Sequence, residues 1–307
     1  MLIAQLSDPH IFGAGQLMEG RIDTGEHLGR ALSTLNELRP TPEFVLLTGD
    51  LVNDGLADQY EHLRSVLGDD LSKMIVVAGN HDDREGLRRC FPQLADVGSG
   101  GDQLDYVVDR DCDGFAASIV VLDTTVPGEH GGSLNGQQLT WLAQQLESRR
   151  DRRVIIAQHH PPFQSGIGFM DHYGLSGSED EADVIKQFTN VDAVLCGHLH
   201  RPASSAFGGT VAFASPSTAA QVSPSFGDET TSLPFTSVRI DDIRQKLREN
   251  FRAAIDVQSH GLYSDSEKSR PSWAILRFLV RQARRWHRDQ DMKRPALVHV
   301  ILGWPAS

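Results

Sequence analysis

The sequence predicts an α/β layered fold, and three observations lead to that prediction. Short runs of four or five apolar residues recur along the chain. These runs show little alternation between apolar and polar positions, which is typical of strands buried on both faces. Stretches with a three-to-four-residue hydrophobic period lie between the runs, as amphipathic helices require. Strands that alternate with helices indicate layers of helices packed on sheets.

The apolar runs are predicted to form strands. They are, in chain order, LIAQL (2–6), FVLL (44–47), MIVV (74–77), SIVVL (118–122), VIIA (154–157), AVLC (193–196) and TVAFA (210–214). Three stretches between them are predicted to be helices: TGEHLGRALSTLNELR, GQQLTWLAQQLESRR and EDEADVIKQF. In the first, four leucines from Leu28 to Leu38 keep the helical spacing, and Thr24 is expected to be the N-cap.

Length and composition favour an ordinary globular protein. The chain has 307 residues, of which 39% are hydrophobic and 23% are charged, enough for one large domain or two smaller ones. No apolar run reaches the roughly 18 residues of a transmembrane helix, and the N-terminus lacks a secretory signal. The three cysteines are widely spaced, which argues against a disulfide framework. A cytoplasmic location is therefore expected.

Charge and composition change along the chain. The net charge is −12, yet residues 268–307 carry nine lysines and arginines against two aspartates. An acidic body argues against general nucleic-acid binding, because it would repel phosphates. From residue 223 a stretch rich in Pro, Ser and Thr begins, so we predict a main domain over 1–222 and a C-terminal extension over 223–307. The extension is predicted to contain a linker, amphipathic helices and a basic tail, which packs on the acidic body or a second subunit, contacts an anionic membrane or is disordered.

Polar side chains follow five of the predicted strands, at the point where each strand ends. They are Asp8 and His10, Asp50, Asn80 and His81, His159 and His160, and His198 and His200. In open α/β sheets the carboxyl ends of the strands are where sites assemble. Clustering buried carboxylates is costly unless a cation is present, so the pattern favours a metal site.

The residue types and their number indicate two metal ions. Carboxylate, amide and imidazole ligands without thiolate suit Zn, Mn or Fe. Six or seven such ligands are too many for one tetrahedral ion, but they fit two ions about 3.5–4 Å apart that share a bridging carboxylate. Glycines directly precede Asp50, Asn80 and His198, which lets the backbone turn sharply and approach the ions.

The motifs D-x-H, G-D, G-N-H-D, H-H and G-H-x-H, in that order, resemble those of the calcineurin-like metallophosphoesterase superfamily over roughly residues 1–222. The block GDLVNDG (49–55) lacks the Arg-Gly that follows it in the protein phosphatases of that superfamily. QHHPP (158–162), GIGFMDHYGL (166–175) and HLHRP resemble bacterial class III cyclic-nucleotide phosphodiesterases and the related glycerophosphodiesterases. The resemblance implies a four-layer αββα sandwich with a divergent C-terminal extension.

The resemblance also implies a role for each residue at the strand ends. The metal ligands divide between two ions: Asp8, His10 and His200 at the first, Asn80, His159 and His198 at the second, and Asp50 bridging both. His81 is expected not to bind metal but to face the substrate phosphate, where it stabilises charge or protonates the leaving alkoxide. Asn80 and His172 are expected to contact the substrate as well. The implied nucleophile is a hydroxide that bridges the ions.

Several neighbouring residues allow two interpretations. His160 is expected to support or pack beside the ligands rather than to bind metal. Asp82 and Asp83 are expected to cap a helix rather than to ligate. Asn53 either orients a neighbouring group or shapes its turn, and Cys196 is expected to fill a buried strand. His172 could equally be an exposed loop residue.

The predicted function is that of a dinuclear metal-dependent phosphodiesterase of small molecules, with 3′,5′-cyclic nucleotides such as cAMP as the first candidate substrates. A glycerophosphodiesterase is the alternative. A phosphomonoesterase or nuclease on the same core, and a non-catalytic metal-binding scaffold, are further hypotheses. By analogy with the related enzymes, a homodimer or larger homo-oligomer is expected.

Overall fold

The structure, a computed structural model, describes residues 2–39, 41–94, 97, 102–112, 115–222, 235–236 and 301–303. Its strands are β1 (Leu2–Leu6), β2 (Phe44–Thr48), β3 (Met74–Val77), β4 (Tyr106–Cys112), β5 (Phe115–Val121), β6 (Gly132–Ser133), β7 (Arg153–Ala157), β8 (Leu175–Ser176), β9 (Val191–Cys196), β10 (Ala203–Phe207), β11 (Thr210–Ala214), β12 (Gln221–Val222), β13 (Phe235–Thr236) and β14 (Ile301–Gly303). Its α-helices are α1 (Thr24–Glu37), α2 (Ala57–Leu67), α3 (Arg84–Cys90), α4 (Gly136–Glu147), α5 (Gly168–His172) and α6 (Ser178–Ile185).

Two main sheets organise the described residues. The first has the strand order β14-β1-β2-β3, and the second has the order β10-β11-β9-β7-β5-β4. Strands β1 to β3 run parallel to one another, as do β5, β7, β9 and β11, whereas β4, β10 and β14 pair antiparallel at sheet edges and β3 is the parallel strand at the other edge of the first sheet. Parallel pairing aligns the carboxyl ends of the central strands in each sheet, where binding sites assemble.

The sheets pack face to face, and helices cover their outer faces. The inner core joins Ile3 and Leu46 of the first sheet to Ile155 of the second. One outer core packs α1, α2 and α3 on the first sheet through residues such as Leu63 of α2. The other packs α4, α5 and α6 on the second sheet through residues such as Leu142 of α4. The predicted four-layer αββα sandwich is confirmed.

The seven predicted strand runs all fall in strands of the two main sheets. Burial on both faces holds for β2, β3, β7 and β9, apart from half-buried residues where β2 and β7 begin. It is wrong for β11, whose residues alternate between buried and half-buried positions, because Ala212 and Ala214 pack into the outer core whereas Val211 and Phe213 pack only partly against the inner core. The sequence reading missed β4 and β10, which are edge strands whose mixed polar composition is not an apolar run.

The three predicted helices are confirmed as α1, α4 and α6. The N-cap of α1 is Asp23 and not Thr24, because the Asp23 carboxylate accepts a hydrogen bond of 2.9 Å from the backbone N–H of Glu26. Thr24 is instead the first helical residue. Only the start of α3 was expected, from the capping role given to Asp82 and Asp83, and α2 and α5 were not predicted.

Most of the predicted C-terminal extension lies outside the described residues. Only β13 and β14 are described within 223–307, so the predicted linker, amphipathic helices and basic tail remain sequence predictions. The same holds for the division into two domains at residue 222. Within the described part of the chain, no helix combines the length and the apolarity needed to cross a bilayer.

Candidate metal centre

The carboxyl ends of the parallel strands bring the predicted metal ligands together as two buried clusters. Within each cluster the potential ligand atoms lie within 4.8 Å of one another. The first cluster consists of Asp8, His10, Asp50 and His200, and the second of His159, His160 and His198. Asn80 belongs with the second cluster, because its Oδ1 lies 3.1 Å from Nε2 of His159 and 3.2 Å from Nδ1 of His198.

Asp50 lies between the two clusters. Its Oδ2 is 3.5 Å from Nε2 of His10 in the first cluster and 3.4 Å from Nε2 of His159 in the second. Its other oxygen, Oδ1, accepts a hydrogen bond of 2.9 Å from the backbone N–H of His81. This bond attaches the carboxylate of Asp50, which follows β2, to the turn after β3. One carboxylate oxygen is therefore placed to be shared by two cations.

Backbone carbonyls orient two of the imidazoles. Nδ1 of His159 lies 2.8 Å from the carbonyl oxygen of Thr48, and Nδ1 of His200 lies 2.9 Å from that of Ala220. A carbonyl can only accept a hydrogen bond, so both Nδ1 atoms carry the proton. In the neutral rings Nε2 then holds a lone pair, the form in which histidine binds a metal.

The ligand atoms face one another in a way that calls for a cation. Burial lowers the pKa of His159 but the Asp50 charge raises it more, to about 9, so without metal Nε2 carries a proton and donates to Oδ1 of Asn80 at 3.1 Å; a bound cation would take the place of that proton. Nε2 of His10 and Nε2 of His200 lie 3.0 Å apart, and Nε2 of His200 presents a lone pair because its Nδ1 carries the proton. A cation bound among these atoms would be coordinated by such lone pairs and would neutralise the buried carboxylates beside them. The residues present therefore fit metal ions.

The electrostatics of the centre point the same way. Burial raises the pKa of Asp8. Burial also raises that of Asp50, but the nearby histidines, His159 first, lower its pKa more strongly and hold it well below its usual range. Burial lowers the pKa of His159, whereas the Asp50 charge raises it more, to about 9. Two buried carboxylates thus draw positive charge into the centre, and divalent cations supply it.

The backbone at the ligands is strained. Among the described residues other than glycine, a positive φ occurs at Glu19 and at five predicted ligands, with values of 48° at Asp8, 42° at His10, 50° at Asp50, 68° at His198 and 52° at His200. The left-handed region costs energy for residues with a Cβ, and such residues cluster at functional sites where the surrounding structure enforces them. The left-handed conformation thus coincides with the predicted ligands.

The glycines at the strand ends are needed, as predicted, because the backbone there lies very close to atoms of neighbouring strand ends. A Cβ on Gly197 would lie 2.5 Å from the carbonyl oxygen of Thr48 and 2.8 Å from Oδ2 of Asp8. A Cβ on Gly79 would lie 2.9 Å from Cα of Asp50 and would overlap other atoms of that residue. Both glycines therefore let neighbouring strand ends come together at the ligands.

His81 is held beside the first cluster. Its ring packs edge-on against the ring of His10 at a centroid distance of 4.8 Å. Its Nδ1 donates to the carbonyl oxygen of Asn53 at 2.6 Å, so Nε2 is the nitrogen left to exchange a proton with a bound molecule. Asn53 fulfils both predicted roles: its carbonyl oxygen orients His81, and its side chain donates to Asp54 at 3.0 Å and so shapes the turn.

His160 lies beside the second cluster but has its ring nitrogens engaged elsewhere. Its Nδ1 is 2.8 Å from the hydroxyl of Thr124, and its Nε2 donates to the carbonyl oxygen of His130 at 3.0 Å. Burial lowers the pKa of His160 to about 3, so its ring is neutral. These hydrogen bonds favour the expected supporting role over metal binding. A ring nitrogen of His160 nevertheless lies within 4.8 Å of the ligand atoms of His159 and His198.

The capping prediction holds for Asp83 but not for Asp82. Asp83 is the N-cap of α3 and accepts from the backbone N–H of Gly86 at 2.6 Å. Asp82 instead accepts backbone hydrogen bonds from Leu51, at 3.1 Å, and from Gly79, at 2.9 Å. Burial, followed by the charge of Asp50, raises the pKa of Asp82 to about 7. Asp82 therefore ties the loops after β2 and β3 together beneath the ligands.

Two other predicted residues lie away from the ligand clusters. Cys196 is fully buried at the end of β9, as expected for a small residue that fills a strand. His172 is exposed at the end of α5, and its ring contacts Tyr173 at a centroid distance of 5.0 Å. The rings of Tyr173 and His130 separate it from His81, so the structure does not bring His172 to the centre.

The sequence reading missed His130, which lies at the edge of the centre. Its Nδ1 is 3.5 Å from the amide nitrogen of Asn80, and its ring is 6.0 Å from that of His81. It precedes two glycines, and a Cβ on the second of them, Gly132, would overlap the ring of His160. The glycine pair after a histidine, close to the end of the strand run SIVVL, was the available signal.

The fold and the site together define a metal-dependent hydrolase built on an αββα sandwich. The family model for calcineurin-like phosphoesterases matches residues 1–202. The chain therefore belongs to the calcineurin-like phosphoesterase family.

Named relatives and a solved structure agree with this. A probable glycerophosphodiester phosphodiesterase from Arcobacter nitrofigilis is 33% identical over 66% of this chain and 72% of its own length. A probable cyclic nucleotide phosphodiesterase from Rhodopseudomonas palustris is 35% identical over 68% of this chain and 75% of its own. A 3′,5′-cyclic adenosine monophosphate phosphodiesterase from Pseudomonas aeruginosa is 30% identical over 75% and 80%. A dimetal phosphatase from Danio rerio shares the fold, with a TM-score of 0.57 and 17% identity over 73% of this chain and 89% of that one.

Proposed function

We propose that the protein is a dinuclear metal-dependent phosphodiesterase of small molecules, with 3′,5′-cyclic nucleotides such as cAMP as its substrates. The observation that carries the proposal is the position of Asp50 Oδ2, nearly equidistant from a histidine nitrogen of each cluster. A shared carboxylate oxygen between two sets of ligands suits a pair of ions that act together on one phosphate. The relatives that carry phosphodiesterase names support the diester as substrate.

In this proposal the ligands divide as the resemblance implies. Asp8, His10 and His200 would hold the first ion, Asn80, His159 and His198 would hold the second, and Asp50 would be shared by both. When bound, the two ions supply Lewis acidity that neutralises charge on the phosphoryl oxygens. The ligand atoms are nitrogen and oxygen only, which suits Mn, Fe or Zn.

The protein's own side chains then handle the phosphate and the leaving group. His81 is placed to bind the phosphate, because its ring contacts His10 and its Nδ1 is occupied by Asn53. Its Nε2 can therefore deliver a proton to the departing alkoxide oxygen. The amide of Asn80 contributes a donor from its nitrogen while its oxygen faces the second cluster.

The organic part of the substrate is proposed to lie along the edge formed by the loops after β5 and β7. These loops are joined by the pairing of β6 with β8. His130, Tyr173 and Phe169 form a series of ring contacts there that starts at His81, with centroid distances of 6.0, 5.4 and 5.3 Å. Exposed or half-buried rings beside a phosphate site favour an organic substituent with a flat face. His172 can contribute only at the outer end of this edge.

A glycerophosphodiester is the second candidate substrate, because the relative from Arcobacter nitrofigilis is named for that activity. Phosphomonoesters and nucleic acids are the third group to be tested. A scaffold without activity would bind two metal equivalents and hydrolyse none of these compounds.

A substrate panel tests the proposal. The metal-free protein is reconstituted with Mn, Fe or Zn, and kcat/KM is measured for 3′,5′-cAMP, 3′,5′-cGMP, glycerophosphoethanolamine, AMP and a short single-stranded DNA. The expected result is the highest kcat/KM for the cyclic nucleotides. Higher values for AMP would overturn the diesterase assignment, and higher values for glycerophosphoethanolamine would replace the cyclic nucleotide as substrate.

We also propose that the protein is a homodimer or larger homo-oligomer, by analogy with related enzymes. Light scattering coupled to size-exclusion chromatography measures the mass in solution, and a mass of 33.8 kDa would show a monomer and contradict this. The cytoplasmic location, the domain boundary at 222 and membrane contact of the basic tail remain predictions.

A further inference from the structure

The segment that follows β11 closes one side of the metal centre, although it lies beyond the family match, which ends at residue 202. We call residues 215–221 the closing turn. Its members are buried, and Ser217 is only 2% exposed. No motif in the sequence includes this turn, and none of the proposed catalytic or ligand roles uses it.

Three hydrogen bonds meet at the hydroxyl of Ser217. It donates to the carbonyl oxygen of Asp8 at 2.7 Å. It accepts from the backbone N–H groups of Ala219, at 2.9 Å, and Ala220, at 3.1 Å. One side chain therefore shapes the closing turn and binds the backbone of a proposed metal ligand.

The closing turn also orients a second ligand of the same ion. The carbonyl oxygen of Ala220 accepts a hydrogen bond of 2.9 Å from Nδ1 of His200. The adjacent backbone N–H of Thr218 donates to the carbonyl oxygen of Ser7 at 3.0 Å. Asp8 and His200 both have positive φ angles, of 48° and 52°, and such strained residues persist only when neighbouring groups hold them in place.

We propose that Ser217 is a positioning residue for one of the two ions, the one assigned to Asp8, His10 and His200. This inference rests on the proposed division of the ligands. Its effect is expected mainly at this ion, because His159 of the other ion is oriented by the carbonyl oxygen of Thr48 and His198 contacts Asp8 only through its backbone N–H, at 3.0 Å.

Replacing Ser217 by alanine leaves three buried backbone groups without their partner. Loss of a group that orients a metal ligand typically lowers metal affinity about 10- to 100-fold. The expected loss for Ser217→Ala is therefore about 10- to 100-fold at the first ion and none at the second. Ser217→Thr keeps the hydroxyl and is expected to restore most of the affinity.

The neighbouring residue offers a matched control. Thr218 also has a buried hydroxyl, but within the described residues its Oγ1 has no hydrogen-bond partner. Thr218→Val removes that hydroxyl with little change in shape and leaves the backbone bond to Ser7 intact. It is expected to leave both metal affinities unchanged.

The test uses two backgrounds that each retain one ion. Asn80→Ala removes a ligand of the second ion, and His200→Ala removes a ligand of the first. Each background is combined with Ser217→Ala or Thr218→Val, and the metal-free full-length protein is titrated with Mn²⁺ or Zn²⁺ by calorimetry, with circular dichroism to verify folding. We expect Ser217→Ala to weaken binding about 10- to 100-fold in the Asn80→Ala background and by less than about 2-fold in the His200→Ala background.

Equal weakening in both backgrounds, or in neither, would overturn the inference. If metal-free Ser217→Ala does not fold, Ser217→Cys replaces it, since a thiol is a weaker donor. The metal-loaded protein is then challenged with a chelator, and one equivalent should leave faster than in the control; unchanged release of both equivalents would overturn the inference as well. No substrate is used, so an error in the proposed diesterase activity would not affect this result.

Discussion

Replacing Gly197 by alanine should disturb the metal centre, because the added methyl group would meet atoms that hold or form the ligand set. Its Cβ would lie 2.5 Å from the carbonyl oxygen of Thr48 and 2.8 Å from Oδ2 of Asp8, and it would overlap Oγ of Ser7. The Thr48 carbonyl orients His159, and Asp8 is itself a proposed ligand. The methyl group cannot be accommodated without moving one of them.

The loss of folding stability expected for Gly197→Ala follows from these contacts. Inserting a methyl group into a packed interior typically costs about 1–3 kcal/mol. Two of the three contacts at Gly197 involve a backbone carbonyl and a buried carboxylate, which cannot turn away as a flexible side chain would. A cost at the upper end of that energy range is therefore expected. A loss of about 3 kcal/mol corresponds to a roughly 100-fold shift of the folding equilibrium, at about 1.4 kcal/mol per tenfold.

Urea unfolding of the metal-free protein and calorimetric metal titration measure the two effects. We expect the Gly197→Ala variant to unfold at lower urea concentration and to bind fewer than two metal equivalents. Gly29→Ala is the control, because no atom lies within 4 Å of its Cβ position in the middle of α1. That change should stabilise the protein by about 0.5–1 kcal/mol. Wild-type stability and two bound equivalents for Gly197→Ala would refute the close-approach argument.

Three further predictions address single side chains. Asp50→Ala should lower the metal content from about two equivalents to one or fewer, measured by elemental analysis, because it removes the carboxylate oxygen that lies beside a histidine of each cluster; two retained equivalents would contradict the bridging role. His81→Ala should keep both ions and lower kcat at least about 100-fold, as expected for loss of a proton donor, whereas metal loss with unchanged kcat would assign His81 to the ligands. Burial raises the pKa of Glu181 from 4.5 to about 8, so stability should fall as pH rises between these values, because the unfolded chain releases this proton first. Glu181→Gln should abolish that fall in urea unfolding at pH 5 and pH 8, and an unchanged pH dependence would show that Glu181 is not its source.

The strand ends show how far local sequence information reaches. A run such as MIVV is apolar because its residues are buried on both faces, and this burial is written in consecutive residues. Polar residues directly after such runs, with a glycine before several of them, were therefore readable without any structure. The same logic failed for β4 and β10, because these antiparallel strands carry charged or polar residues among the apolar ones and so form no continuous apolar run.

Contacts made between strand ends could not be predicted in the same way. The backbone N–H of His198 donates to the carboxylate of Asp8, 190 positions earlier in the chain. His130 reaches the centre through a loop, and Ser217 reaches it from beyond the last ligand. The glycine pair after His130 is the only local signal for that residue, and Ser217 follows the predicted strand TVAFA without being a residue type that binds these metals.

The sequence by itself determined the layered α/β fold, the residues at the strand ends and the chemistry of their side chains. Only the tertiary structure decided that Asp50 Oδ2 lies between two histidine clusters, that both ring nitrogens of His160 are engaged, and that the closing turn holds Asp8 and His200. The physical reason is that burial and helix or strand periodicity act over a few consecutive residues. The geometry of the metal centre depends instead on how two separate sheets pack and on where their loops meet.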